Sequence, residues 1–139
     1  DTDVDFDQLG ICATRYGVSL TAAILKWLEH TDDSAVLVVS RDGFIDWACS
    51  SKRAHKAGAF FRTRSNTIEV PAASLAAKSD IAHDRSGIEV PAQVWFPHAD
   101  KRMTLKEMKV FSDQYDCVVT IRKLPRSATV WPPWERETS

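Results

Sequence analysis

The residues best suited to acid–base or metal chemistry are the four histidines, and they are scattered. His30, His55, His83 and His98 stand apart, none lies in an HExxH pair, and none has a Cys or carboxylate partner at zinc-ligand spacing. A metal site built from them is not expected. His83 adjoins Asp84 in sequence, but adjacency does not place two side chains together. No G-x-S-x-G elbow is present to support a Ser nucleophile, although triads assemble across a chain and leave little local trace. Cys12, Cys49 and Cys117 are an odd, widely spaced set without a CxxC. They read as buried thiols of a reducing, cytoplasmic compartment rather than as disulfides or a zinc knuckle.

Two other groups could bind rather than react. Lys52, Arg53, Lys56, Arg62 and Arg64 follow one another with no acid between Asp46 and Glu69. Such a stretch can neutralise phosphates of a nucleic acid or another anion. The plainer reading is a solvated loop and strand edge carrying charges that prevent aggregation. Trp47, Phe60, Phe61, Trp95 and Phe96 fall on expected strands. Trp47, Phe60 and Trp95 are the candidates for lining a ligand pocket; ordinary core packing is the commoner use of such rings.

The elements that must position these residues follow from periodicity. Phe6, Leu9, Ala13 and Tyr16 share one helical face after a run of acids at Asp1, Asp3, Asp5 and Asp7. Gly17 breaks that helix, and Ser19 can cap a second one carrying Leu20, Ala23, Ile24, Trp27 and Leu28. Ala35 to Val39 is a continuous run expected of a strand buried on both faces. Arg41-Asp42-Gly43 predicts a hairpin turn, and Ile45, Trp47 and Cys49 predict a return strand with Asp46 and Ala48 on its other face. Residues 50–58 read as a polar loop, Phe60-Phe61 as a short third strand, and Val70-Pro71 as the opening of an Ala-rich helix through Lys78. Residues 79–87 read as a loop, Val94-Trp95-Phe96 as a fourth strand with Pro91 marking an edge or bulge before it, residues 105–112 as a strand in preference to a helix, and Cys117 to Ile121 as the last strand.

The expected fold is therefore α+β. A helical pair over residues 1–33 precedes a GAF/PAS-like antiparallel sheet over 34–125 with a short crossover helix, and 126–139 forms an extended tail around Trp131 and Trp134. The 139 residues, 44% hydrophobic and 27% charged, suffice for a real core without staples. A net charge of −1 excludes a generic polyanion binder, so any nucleic-acid surface must be local. No apolar run reaches the length of about 18 residues that a membrane helix needs, and no signal peptide is evident. The chain starts at Asp1 rather than Met, which fits a segment of a longer polypeptide, a proteolytic remnant or simple processing of the N-terminus.

Tyr16-Gly17-Val18-Ser19 between two helices has the form of a helix-turn-helix corner. The second helix offers only Thr21 and Lys26 outward, with Arg15 before the turn, which is thin for a DNA reader. The alternative is a helical hairpin packed on a neighbouring domain.

The stretch from Phe6 to Ala23, with its aromatic-Gly-Val-Ser turn and Ala/Leu-rich second helix, resembles the segment that follows the peptidase domain in the ImmA/IrrE family. Val38 to Trp47 resembles the hairpin that opens the C-terminal half of longer members, and Tyr115 to Ile121 resembles their last strand. The similarity covers about residues 5–125. It implies a non-catalytic regulatory, sensor or protein-interaction module linked to a zinc peptidase that cleaves a repressor. The linked peptidase domain and the repressor are then the expected partners, with DNA as the alternative. HExxH and the third zinc ligand of the family are absent here. No catalytic residue carries over, and zinc is expected only in a linked peptidase domain.

Overall fold

Val36, Leu37 and Val38 sit at the centre of the molecule without exposed surface, because their strand has neighbours on both edges and cover on both faces. The computed structural model describes residues 20–61, 67–77, 83–112 and 117–131. It is an α+β structure built on one five-stranded antiparallel sheet of order β2-β1-β5-β4-β3. The strands are β1 (Ser34–Arg41), β2 (Phe44–Ser50), β3 (His83–Pro91), β4 (Thr104–Ser112) and β5 (Cys117–Leu124). Among the described residues two α-helices accompany them, α1 (Leu20–His30) and α2 (Lys52–Lys56).

Asp42 and Gly43 turn β1 into β2 with φ values of 54° and 83°, the left-handed pair that a two-residue hairpin requires. A Cβ on Gly43 would meet nothing within 4 Å, so backbone freedom alone accounts for glycine there. One residue of β2 is extra: Val39 pairs with Trp47 and Ser40 with Ile45, leaving Asp46 as a bulge. The bulge sends Ile45 to one face of the sheet and Trp47 and Cys49 to the other. The simple alternation expected for this strand is corrected accordingly.

On one face, Ile24 and Leu28 of α1 pack against Leu37, Val39, Met108, Val119 and Ile121. This is the stripe that helical spacing predicts. The opposite face is covered by α2, by the crossover between β2 and β3, by residues 92–103 and by a C-terminal strap of residues 125–131. Its core includes Val36, Val38, Leu105, Leu124, Trp95 and Phe96.

Four local expectations give way to other structure. The polar loop at 50–58 contains α2, because Ser51 Oγ caps it by accepting from Ala54 N–H at 3.3 Å. That hydroxyl also donates to Asp33 O at 2.8 Å and accepts from Ala35 N–H at 3.0 Å, stitching α2 to the start of β1. Phe60-Phe61 is not a strand: Gly58 turns the chain at φ 87°, and Phe61 stacks on Phe96 with ring centroids 5.4 Å apart. The Ala-rich helix shrinks to a single 3₁₀ turn, Leu75–Ala77. There Ser74 Oγ takes the Pro71 carbonyl at 2.6 Å, and Ala76 N–H donates to Glu107 Oε2 at 3.1 Å instead of closing a helical turn. The fourth strand is shifted to 83–91, and Ala92–Val94 is a 3₁₀ turn in which Trp95 and Phe96 N–H both donate to Ala92 O. Pro91 does end a strand that lies at the sheet edge, where its missing N–H costs no ladder bond.

The first helix of the expected pair and its Tyr16-Gly17-Val18-Ser19 corner lie outside the described residues, as does the tail beyond Trp131. Among the described residues no helix is long and apolar enough to cross a membrane.

Candidate functional site

Three segments distant in sequence meet around a cleft of about 650 Å³. The end of α1 and the loop after it, Glu29 to Asp32, form one wall. Lys52, Arg53 and Lys56 of α2 with Ala57 just after it form the second, and Arg126, Ala128, Thr129 and Trp131 of the strap form the third. The wall from α2 exists because Ser51 starts a helix there. Lys52 and Lys56 are one helical turn apart and both exposed, so their ammonium groups share a face.

The strap is held by specific bonds as well as by the burial of Val130 in the core. Val130 N–H donates to Ala57 O at 2.8 Å, and Trp131 Nε1–H donates to Lys56 O at 2.8 Å. These bonds satisfy carbonyls at the C-terminal end of α2 that no helical turn follows. The Trp131 ring lies directly on Gly58, where a Cβ would stand 2.7 Å from Cδ2. Phe60 meets the same ring edge-on at 5.5 Å and stacks its own ring on His55 at 4.6 Å. At the other end of the strap, Arg126 reaches Asp33 Oδ1 at 2.8 Å, and Lys123 approaches Asp33 Oδ2 at 3.4 Å.

Arg53 crosses the cleft. Its Nε–H donates to Asp32 O at 2.5 Å and Nη1–H to Arg126 O at 3.5 Å. Both acceptors are neutral carbonyls, so the guanidinium positions the walls while its charge stays uncompensated by them. Lys52, Arg53, Lys56 and Arg126 line the cleft together with Glu29 and Asp32; with Arg126 paired to Asp33, three cations stand against two acids in a chain whose net charge is −1. Glu29 is itself 3.7 Å from Lys26 in an exposed pair.

A second polar assembly lies on the covered sheet face under the crossover. Glu107 and Arg122 are cross-strand partners in β4 and β5, and both are fully buried. Arg122 Nη2 is 3.4 Å from Glu107 Oε2 and also contacts Thr120 Oγ1. Its guanidinium carbon sits 3.9 Å from the centre of the Trp95 ring, a desolvated cation–π contact. Trp95 Nε1–H donates to Glu107 Oε1 at 3.2 Å, so one carboxylate gathers Arg122, Trp95 and Ala76. Burial pulls the Arg122 pKa down to about 10, with the Glu107 charge and hydrogen bond opposing that shift. The folded chain holds this proton more weakly than the unfolded chain does. The Arg122 charge therefore opposes folding at pH values below about 10, and Glu107 only partly offsets the cost. Neighbouring Lys109 is also buried on this face.

The candidates named from sequence separate into different places. Lys52, Arg53 and Lys56 come together in the cleft, whereas Arg62 and Arg64 lie outside the described residues. Trp47 packs on the α1 side of the sheet, Trp95 lies on the other side over Arg122, and Phe60 supports the strap. These three rings do not line one pocket. Cys49 is half-buried and Cys117 buried, both as free thiols, and burial with the nearby Glu29 charge pushes the Cys49 thiol up. Among the described residues no three His, Cys, Asp or Glu side chains gather as a metal site.

Sequence reasoning missed Arg126 and Trp131 as cleft residues, and missed Glu107 with Arg122 altogether. The last pair did leave a signal. Glu107 alternates with Leu105, and Arg122 with Leu124, so strand period places both charges on an inward face. No protein-family model and no curated protein sequence matches the chain.

Proposed function

We propose that this chain is a non-catalytic regulatory module, a GAF/PAS-like sensor or protein-interaction domain of an ImmA/IrrE-type zinc peptidase that controls a repressor. One observation carries the reading. A hairpin, a covered crossover and a three-strand meander build a single antiparallel sheet, the arrangement expected of that region. The functional partners are the linked peptidase domain and the repressor, and zinc belongs to the peptidase. The setting is cytoplasmic, in keeping with free thiols at Cys49 and Cys117.

The decisive experiment is capture of the native protein with an antibody against this chain, followed by intact mass and zinc analysis. The expected result is a polypeptide well above 15.6 kDa that carries zinc and cleaves a repressor. A native mass near 15.6 kDa, with no peptidase retained, would sink the linkage.

A DNA-binding regulator is the second reading, favoured by the cations that α2 groups on one side. The outward side of α1 adds little to it, since Lys26 is paired with Glu29. Duplex DNA binding that weakens steeply with salt and with Arg62→Ala and Arg64→Ala would establish this reading in place of the first.

A further inference from the structure

The cleft between α2 and the strap has a charge pattern that sheet packing does not require. We infer that it binds a phosphorylated polyhydroxyl compound, a sugar phosphate or nucleoside phosphate. Lys52 and Lys56 hold the phosphate, and the Glu29 and Asp32 carboxylates accept from ligand hydroxyls. The inference deepens the sensor reading and rests on it for the purpose of the ligand.

Four features carry it. Lys52 and Lys56 are like charges one turn apart, an arrangement that destabilises a helix, and neither has an ion-pair partner among the described residues. Lys52 also stands at the first position of α2, where a helix favours an acid over a cation, and no acid lies in that turn. A bound dianion relieves both costs. Among the described residues the Arg53 guanidinium bonds to carbonyl acceptors on the two facing walls, which hold it at the cleft while its charge stays open to an anion. Finally, a volume of about 650 Å³ falls within the roughly 300–1,000 Å³ typical of small-molecule sites.

The acids decide the class of phosphate. A nucleic-acid duplex presents a charge about every 1.7 Å and needs a continuing stripe of cations. Here Glu29 and Asp32 stand at the α1 wall and would repel the next phosphates of a polymer. The same carboxylates are pure acceptors suited to sugar hydroxyls. One phosphate with a hydroxylated body satisfies both walls.

The test is calorimetric titration of the full chain with ribose 5-phosphate at low salt. Saturable binding is expected, weakened about tenfold or more by Lys52→Ala with Lys56→Ala and unchanged by Lys26→Ala. Both cleft lysines are exposed, so an unchanged circular dichroism spectrum verifies that the variant is folded. Asp32→Asn should weaken ribose 5-phosphate more than inorganic phosphate. Tighter binding of AMP would assign the nucleoside phosphate, and equal binding the sugar phosphate. The inference is overturned by absence of saturation at millimolar ligand or by equal binding of unphosphorylated ribose. It is also overturned if a single-stranded oligonucleotide binds with a steep salt dependence while ribose 5-phosphate does not. A failed titration removes this ligand without touching the peptidase link, which the native mass tests separately.

Discussion

The Glu107–Arg122 assembly and the α2 cleft each gather charged side chains, yet they differ in nearly every physical respect. The first is sealed on a sheet face, with both partners at 0% exposure and the three donors on Glu107 drawn from different elements. The second is open to water, and its lysines have no fixed partner among the described residues. Desolvation makes the sealed charges expensive, so their value depends on remaining paired. The open charges cost the fold little and stay available to something outside it. One sequence thus uses charge in two ways: as a cross-link that specifies how the crossover lies on the sheet, and as a surface that can recognise an anion.

The contrast can be broken most forcefully from the buried side. Glu107→Ala leaves Arg122 charged and buried and removes the acceptor of Trp95 and Ala76. We expect a loss of about 3–5 kcal/mol, read as a lower urea midpoint. A loss below about 1 kcal/mol would mean that water reaches the pair and that the two regions are less different than they look.

A smaller effect is expected at the seam between them. Gly58→Ala meets the Trp131 ring at 2.7 Å and holds a φ of 87°, so it should cost about 1–3 kcal/mol and release the strap. Released strap should show as faster hydrogen exchange of the Val130 amide, which donates to Ala57 O. Unchanged protection of that amide would show that the Trp131 contact does not hold the strap.

The smallest change in stability belongs to the open side. Lys52→Ala with Lys56→Ala should shift the unfolding free energy by no more than about 0.5 kcal/mol, since both side chains are exposed. The same variant is the one expected to lose ligand affinity. A large stability loss here would turn the cleft lysines into structural residues and remove the contrast.

Legibility in the sequence followed the range of the interactions. The burial of β1 on both faces, the Asp42-Gly43 turn, the inward stripe of α1 and the last strand, read as Cys117 to Ile121 and found to run on to Leu124, were each readable from residues within a few positions of one another. Lys52, Arg53 and Lys56 were singled out by charge, but as part of a loop; the helix that aligns them depends on Ser51 bonding to Asp33, 18 residues away. Trp95 was expected to lie in a strand as a pocket wall. It instead ends a 3₁₀ turn and caps a buried arginine, because its indole N–H has Glu107 as partner.

What the sequence alone determined about this protein is the set of local preferences: which runs are extended, where the hairpin turns, which helix face is apolar, and that no HExxH lies in these residues. The tertiary structure decided where charge is buried and where it is left open. The Ala76–Glu107 bond spans 31 positions and the Trp131–Lys56 bond 75, so neither leaves a periodic trace in the chain. Periodicity reports which side of an element faces inward. Only the packed fold determines what each inward or outward group meets, and that meeting separates the sealed Arg122 from the open Lys52 and Lys56.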